Sequence, residues 1–203
     1  MNDHVMDQKL QIKTTGMREW LNGSIHYNRY EATPYTALDA LFSEYELTKS
    51  DDVVDFGCGK GRFTFYAHHH FQVSGTGIEM SGQLYQEAVE NQASYMRKTK
   101  MPSGSIQFER CFAEEYEVKS TNNRFYFFNP FSVQIFMKVI NNILLSVEKD
   151  NRTVDLILYY PTIEYIEFLE TNTSFELFEE VKVPRFYEVN DNERFLIFRY
   201  EPL

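Results

Sequence analysis

A short apolar run that ends in a glycine-rich loop constrains the fold of this chain more than any other feature. Residues 52–56 read DVVDF, and residues 55–61 read DFGCGKG. Branched residues such as valine favour an extended strand, and glycine permits the positive φ angles of a tight turn. Helical spacing of Phe63, Tyr66 and Ala67 follows the loop. The pattern therefore predicts a strand, a tight turn and a helix.

The same alternation of strand-like runs and helical stripes continues along the chain. Thr33 and Pro34 predict the N-cap and the first turn of a helix before the first strand. Four further strands and three helices are then predicted: strands at 73–78, 106–108, 124–128 and 153–159, and helices that begin near Ser81, Ser132 and Ile163. Repeated strand–helix units predict a parallel sheet that is covered by helices on both faces.

The pattern changes near the end of the chain. Two strand-like runs, at 175–183 and 194–200, have no helical stripe between them and therefore predict an antiparallel hairpin at or near one edge of the sheet. We expect an α/β three-layer sandwich with a mostly parallel, seven-stranded sheet and this C-terminal hairpin. A length of 203 residues without linkers or repeats predicts one domain over 1–203, with 1–50 as an N-terminal lid and helices.

Charge and residue usage narrow the classes of partner and compartment. The formal net charge is −10, and the 20 lysines and arginines are scattered, which argues against a nucleic-acid partner and favours a small-molecule or protein partner. No segment predicts a signal peptide or a membrane span, and Cys58 and Cys111 have no disulfide or metal-binding spacing. We therefore expect a cytoplasmic protein with no membrane contact. The sequence does not predict its oligomeric state.

Three consecutive histidines, 68–70, are the one segment whose composition suggests metal binding. Successive residues of a helix point about 100° apart, so these three side chains cannot converge on one ion. We therefore expect no metal site there.

The glycine-rich loop also resembles a known cofactor loop. Residues 55–61 match D-x-G-x-G-x-G at the end of a predicted strand, and Glu79 ends the next strand. In motif and in order of elements, from about Tyr30 to the last strand, the chain resembles the class I, or Rossmann-like, methyltransferases that use S-adenosylmethionine. A dinucleotide-binding loop would place its third glycine at Arg62, so a nicotinamide-dependent oxidoreductase is a weaker alternative.

This resemblance implies a set of cofactor-binding residues. Gly57, Gly59 and Gly61 would lie along the methionine part of S-adenosylmethionine, Asp55 would support its amino group, and Glu79 would accept hydrogen bonds from both ribose hydroxyls. Cys58, Met80 and Asn129 are expected to line the same site. Near the adenine the family often carries an Asp-Ala pair, where this chain reads Cys111-Phe112-Ala113-Glu114. Phe112 and Ala113 are therefore expected at the adenine, and the sequence leaves open whether Glu114 replaces the missing carboxylate.

The segment Asn129-Pro130-Phe131 resembles the N-P-P-[FY] signature of methyltransferases that act on nitrogen, although the second proline is absent. The resemblance implies that the Asn129 side chain and the following backbone carbonyl, that of Pro130, accept hydrogen bonds from the target N–H groups, and that Phe131 forms a wall of the acceptor site. We therefore predict these three as catalytic residues and a nitrogen of a protein side chain or small amine as the acceptor.

Tyrosines near the predicted site complete the set of candidates. The aromatic segment 27–35 lies where related enzymes fold a lid over the cofactor, so Tyr30 and Tyr35 are candidate substrate-binding residues. Tyr160, at the end of the fifth predicted strand, is a further candidate for lining the acceptor pocket. The departures at Phe112 and Phe131 leave one further alternative open. The chain could keep the methyltransferase fold and bind a cofactor or a partner without catalysing transfer.

Overall fold

A computed structural model describes residues 3–16, 30–98 and 104–202. Within them the helices are α1 (Asp3–Leu10), α2 (Tyr35–Glu44), α3 (Arg62–Phe71), α4 (Gly82–Lys98), α5 (Val133–Lys149) and α6 (Ile163–Asn172). The strands are β1 (Asp52–Phe56), β2 (Ser74–Ile78), β3 (Ile106–Glu109), β4 (Arg124–Phe128), β5 (Val154–Tyr159), β6 (Glu176–Lys182) and β7 (Arg194–Tyr200). None of these helices is long and apolar enough to span a membrane.

The strands form one seven-stranded sheet in the order β3-β2-β1-β4-β5-β7-β6. Five strands run parallel to one another, whereas β7 runs antiparallel to both of its neighbours, β5 and β6. The register places Asp55 between Gly77 on β2 and Tyr126 on β4. The predicted fold class, including the C-terminal antiparallel hairpin, is confirmed.

Alternating side chains along the central strands feed two hydrophobic clusters on opposite faces of the sheet. On β4, Tyr126 lies in the cluster that includes side chains of α2 and α3, whereas Phe125 and Phe127 lie in the cluster beneath α5 and α6. Every residue of β5 is buried, as expected for a strand that is covered on both faces. The helices therefore cover the sheet on both sides, which leaves the strand ends as the place for a site.

The parallel strands bring their carboxyl ends to one edge of the sheet, which we call the carboxyl edge. The loops after β1, β2, β4 and β5 all lie at this edge, because these strands are neighbours in parallel pairing. Since β7 is reversed and Tyr159 pairs with Phe195, the turn that joins β6 to β7 lies there too. Ligands of open α/β sheets bind at such an edge, where the strand order reverses.

The start of α2 differs from the sequence-based expectation. Thr33 is not a side-chain cap: the helix begins at Tyr35, after Pro34, with no capping hydrogen bond from a side chain. The Thr33 hydroxyl instead lies 2.6 Å from the hydroxyl of Tyr126, in the interior. A buried tyrosine hydroxyl needs a hydrogen-bond partner, and Thr33 provides one from a distant part of the chain.

Candidate cofactor and acceptor site

The glycine-rich loop is a tight turn that is locked to the end of β2. Gly57, Gly59 and Gly61 have φ angles of 75°, 55° and 85°, in the left-handed region that favours glycine. The amide N–H groups of Gly57 and Cys58 both donate to the carbonyl of Ile78, at 2.9 and 3.0 Å. The loop is therefore held in place before any ligand binds.

Two of these glycines allow other residues to touch the loop backbone directly. A Cβ atom on Gly57 would lie 2.5 Å from the Pro130 Cβ, and one on Gly59 would lie 2.0 Å from the Tyr30 ring. Both distances are too short for any side chain. The glycines thus bring the segment after β4 and the ring of Tyr30 into contact with the loop.

Glu79, at the end of β2, is directed toward the glycine-rich loop. Its Oε2 accepts a hydrogen bond from the Gly59 amide at 3.0 Å, and its Oε1 accepts one from the Ser81 amide at 2.7 Å. The side chain is 5% exposed. Burial raises the pKa of Glu79, and the amide donors Ser81, Gly59 and Met80 oppose that shift.

Asp55 is the second buried carboxylate of the site. It accepts a hydrogen bond from the Thr64 hydroxyl at 3.0 Å. Burial, with a smaller contribution from the charge of Glu79, raises the pKa of Asp55 to about 7, although the Thr64 hydrogen bond opposes the shift. Within residues 3–16, 30–98 and 104–202, no basic side chain forms an ion pair with Asp55 or Glu79. The site therefore concentrates buried negative charge that a cation would stabilise.

Cys58 lies between these carboxylates but is a poor candidate for a nucleophile. Burial and the charges of Asp55 and Glu79 raise the pKa of its thiol well above the ordinary value. A thiol with a raised pKa holds little thiolate, the reactive form. Cys58 therefore serves as a small residue of the loop, and its predicted place in the cofactor site stays a prediction.

The segment after β4 combines an unusual backbone with buried aromatic packing. Asn129 has a φ of 39°, a conformation that asparagine adopts more readily than most residues. Phe131 is 2% exposed, packs edge-on against Phe127 and accepts a hydrogen bond at its carbonyl from the Tyr165 hydroxyl. Phe131 thus anchors the segment in the core, and its predicted role as a wall of the acceptor site stays a prediction.

The residues predicted near the adenine follow β3. Phe112 is 45% exposed, and the buried Ala113 begins a short 3₁₀ helix, Ala113–Glu115. The carboxylate of Glu114 lies 3.8 Å from the Lys138 ammonium on α5. Phe112 is therefore accessible to a ligand, and the part that Glu114 would take in place of the family's carboxylate stays open.

The three tyrosines predicted to contact the acceptor lie in different surroundings. Tyr30, in contact with Gly59, donates from its hydroxyl to the Thr14 carbonyl at 2.8 Å. Tyr35 is completely buried and donates to Asp7 at 2.7 Å. Tyr160, directly after β5, is partly buried, and its hydroxyl accepts a hydrogen bond from the side-chain amide nitrogen of Asn190 at 2.8 Å. Residues 27–29 of the predicted lid lie outside the described residues.

Arg62, which the sequence marked only as a departure from a dinucleotide-binding loop, fastens the N-terminal segment to the site. Its Nε donates to the Thr14 hydroxyl at 2.7 Å, and its Nη1 donates to Asp3 at 2.5 Å and to the Thr33 carbonyl at 3.0 Å. Its guanidinium lies 4.5 Å from the centre of the Tyr35 ring. No periodic pattern could reveal this contact, because its partners are distant in sequence.

The histidine segment takes part in packing. The His68 Nδ1 lies 2.8 Å from the Tyr95 hydroxyl. Among the residues that the structure describes, no group of three or more His, Cys, Asp or Glu side chains is placed to hold a metal ion.

Solved structures with the same arrangement of elements identify the fold. An RNA methyltransferase from Salinibacter ruber with S-adenosylhomocysteine aligns with a TM-score of 0.54 at 14% identity, covering 84% of this chain and 92% of its own. The chain has the class I methyltransferase fold. A Haemonchus contortus phosphoethanolamine N-methyltransferase, with phosphomonomethylethanolamine and S-adenosylhomocysteine, aligns with a TM-score of 0.60 at 15% identity over 83% of this chain and 53% of its own.

A third structural neighbour acts on tRNA. The Pyrococcus abyssi tRNA (uracil-54, C5)-methyltransferase with S-adenosylhomocysteine has a TM-score of 0.52 at 13% identity, over 81% of this chain and 38% of its own. No family model and no curated protein sequence matches the chain. The resemblance to class I methyltransferases is thus confirmed at the level of the fold.

The prediction that nucleic acid is an unlikely partner is wrong. Two of these three neighbours are RNA methyltransferases, so proteins with this fold do act on nucleic acid. Net charge governs the long-range field and solubility, whereas an RNA is bound by local contacts around the site. A net charge of −10 therefore does not exclude RNA as an acceptor.

Proposed function

We propose that the protein transfers a methyl group from S-adenosylmethionine to a nitrogen atom. One observation carries the proposal. Asp55 and Glu79 are buried beside the glycine-rich loop without an ion pair in the described residues, and the Asn129-Pro130 segment packs against that same loop. A cationic cofactor and a nitrogen acceptor would therefore meet at the carboxyl edge of the sheet.

The residues present suit this cofactor. S-adenosylmethionine supplies a methyl group that is activated by a positively charged sulfur, and its amino group carries a second positive charge. Asp55 would stabilise the amino group, and Glu79 would exchange its amide hydrogen bonds for those of the ribose hydroxyls. The remaining contacts fall to residues along the loops: Gly57, Cys58, Gly59, Gly61, Met80, Phe112 and Ala113.

Asn129 and Pro130 would orient the acceptor nitrogen. The side-chain oxygen of Asn129 and the carbonyl of Pro130 are acceptors that would hold target N–H groups and direct the nitrogen lone pair toward the methyl group. Phe131 supports this role from the core, because its carbonyl is held by Tyr165. On receiving the methyl group, a neutral nitrogen would become cationic and would then lose a proton to solvent, and the cofactor would leave as the uncharged thioether S-adenosylhomocysteine. The displacement itself needs alignment and exclusion of water, so no general base is assigned.

The second part of the proposal concerns the class of molecule that carries the acceptor nitrogen. The neighbours include RNA methyltransferases and a methyltransferase of a small phosphorylated amine. An experiment must therefore offer RNA alongside the protein side chains and small amines that the sequence predicted.

Titration calorimetry with S-adenosylmethionine and S-adenosylhomocysteine tests the first step. We expect binding of both, and no detectable binding of either at millimolar concentration would remove the proposal. Tritium transfer from methyl-labelled S-adenosylmethionine to RNA, to a protein mixture and to phosphoethanolamine tests the second step. Binding without transfer to any of them would favour the alternative of a non-catalytic binding protein.

A further inference from the structure

The turn that joins β6 to β7, residues 183–193, lies at the edge of the sheet where the cofactor would bind. Lys182 pairs with Arg194 at its base, so the turn comprises eleven residues. Hairpins usually close with two to five residues, and binding residues are disproportionately found on the loops of a rigid scaffold. This turn is therefore longer than the hairpin requires.

A line of aromatic side chains connects this turn to the glycine-rich loop. Phe128, which borders the same crevice as Asp55 and Gly57, has its ring centre 4.7 Å from that of Tyr159. The Tyr159 ring in turn contacts the Tyr160 ring, at 6.4 Å between centres. The hydroxyl of Tyr160 accepts the hydrogen bond from Asn190 of the turn. Each member of this line touches the next.

The backbone is unusual at the same places. Among the described residues other than glycine, a positive φ occurs at five positions, and three of these are Asn129 after β4, Tyr160 after β5 and Arg185 in the turn. Such angles are costly for a bulky side chain and persist only where the surroundings impose them. At Tyr160 they are imposed by the Asn190 hydrogen bond and by a backbone hydrogen bond to the Arg194 carbonyl at 3.1 Å.

The turn is internally ordered and yet presents apolar side chains to solvent. The backbone N–H of Tyr187 donates to the Val183 carbonyl at 2.9 Å, and the backbone N–H of Asn190 donates to the Phe186 carbonyl at 3.0 Å. Phe186 is nevertheless 45% exposed, and Val189 is 89% exposed. Exposed apolar side chains on an ordered loop at the carboxyl edge, where ligands of such sheets bind, indicate a recognition surface.

We propose that the β6–β7 turn recognises the methyl acceptor. Phe186 and Val189 contact the part of the acceptor beyond the reacting nitrogen, and Asn190 acts as a positioning residue that fixes Tyr160 at the wall of the acceptor site. An aromatic and apolar wall fits an acceptor whose nitrogen is carried on a flat, uncharged ring. This inference rests on the proposed function and names the shape of its acceptor.

Two variants of the full chain test the turn, with a matched control. Phe186→Ala removes the exposed ring, and Asn190→Ala removes the contact to Tyr160. Phe178→Ala is the control, because Phe178 is 50% exposed but lies on β6, away from the turn. The probes are nucleosides and RNA as ring acceptors, against phosphoethanolamine and a lysine peptide as open-chain amines.

We expect the wild-type protein to methylate a ring acceptor in preference to the open-chain amines. In both turn variants the KM for that acceptor should rise about fivefold or more, while kcat and the affinity for S-adenosylhomocysteine stay within about twofold. Phe178→Ala should leave all three unchanged. Transfer to free nucleosides as well as to RNA would place recognition in the ring itself, whereas transfer to RNA alone would add contacts to the chain around it.

Three outcomes would overturn the inference. The first is an unchanged KM in Phe186→Ala, which as an exposed substitution remains informative even if Asn190→Ala fails to fold. The second is a preference of the wild-type protein for open-chain amines. The third is binding of S-adenosylhomocysteine without any transfer, which removes the proposed function together with the turn's role and is recognised by the intact cofactor affinity.

Discussion

The buried carboxylates at the two edges of the sheet differ in whether basic side chains neutralise them. At the amino edge, where β4 and β5 begin, Asp155 is completely buried and receives two hydrogen bonds from Arg199, at 2.7 and 2.9 Å. Tyr45 donates to it at 2.6 Å, and Arg124 lies 3.5 Å away. At the carboxyl edge, the described residues give Asp55 a hydroxyl and Glu79 two amides, but neither an ion pair.

This difference separates carboxylates that the protein neutralises with its own arginines from carboxylates that it leaves without an ion pair in the described residues. A buried carboxylate that is neutralised by arginine is satisfied by the protein itself and has no further need of a ligand. A buried carboxylate without a countercharge raises the free energy of the unliganded protein, and a cationic ligand that enters beside it recovers that cost. The comparison therefore favours the carboxyl edge as the proposed site, and four substitutions test it.

The largest effect is expected at the amino edge, from Asp155→Ala. It leaves the guanidinium of Arg199 without its buried partner, so the free energy of unfolding should fall by about 4 kcal/mol. Urea denaturation measures this loss, and Asp150→Ala, at the exposed end of α5, is the control. A loss below about 1 kcal/mol would contradict a structural role for the cluster.

Asp55→Asn should instead stabilise the unliganded protein at alkaline pH. Because the folded pKa of Asp55, about 7, lies above its unfolded value, its stabilising contribution is complete below the unfolded pKa and is lost as the pH rises through 7. The asparagine variant has no charge to bury. Its gain in unfolding free energy at pH 8 should exceed that at pH 5.5 by about 2 kcal/mol.

Denaturation at the two pH values measures this difference. An equal gain at both would show that Asp55 keeps an ordinary pKa in the folded protein. Binding of the cationic cofactor should favour the ionised carboxylate and release protons near pH 7, so the calorimetric enthalpy of binding should depend on the buffer.

Glu79→Gln should weaken binding more than it weakens the fold. The glutamine oxygen can accept from only one of the two backbone amides that Glu79 holds, but the substitution also removes a buried charge. The amide oxygen can still accept the hydrogen bond from Gly59, but the charged acceptor for the ribose hydroxyls is lost, so the affinity for S-adenosylhomocysteine should fall about tenfold. Calorimetry measures the affinity, and Glu148→Gln, exposed on α5, is the control. A fall in stability with unchanged affinity would show that Glu79 stabilises the fold, as Asp155 does, and does not bind the cofactor.

The smallest effect is expected from Tyr30→Phe. It removes the hydroxyl that donates to the Thr14 carbonyl but keeps the ring against Gly59, so the unfolding free energy should fall by about 1 kcal/mol. The affinity for S-adenosylhomocysteine should change less than about threefold, since the ring is retained. A loss of affinity larger than that of Glu79→Gln would show that the N-terminal segment governs cofactor binding more strongly than Glu79 does.

Local patterns predicted most of the fold. The bounds of β1, β4 and β7 agree with the sequence-based ranges, and those of β2 and β5 differ by one residue at their starts. The helix α1 was not predicted as a distinct element. The helix is short and carries few apolar positions, so a window of sequence shows no clear helical stripe there. Its buried Asp7 and Leu10 pack against partners elsewhere in the chain.

The candidate site was predictable only in part. The glycine-rich loop and Glu79 could be found because their spacing places them at the ends of adjacent parallel strands. The hydrogen bonds of Arg62 with Thr14 and of Asn190 with Tyr160 could not be predicted, since each joins residues from different parts of the fold. Asparagine, threonine and arginine side chains form such contacts wherever the fold brings a partner close.

The order of elements, the tight turn after β1 and the carboxylates at the two strand ends can be read from the amino-acid sequence, because they depend on neighbours within a few residues. Which of the carboxylates has a countercharge depends on how the chain packs. Asp155 meets Arg199 across 44 positions of sequence, whereas Asp55 accepts a hydrogen bond from Thr64 and forms no ion pair with any of the described residues. Burial and pairing are properties of the packed sheet, and they distinguish a charge that holds the fold together from one that a ligand would neutralise.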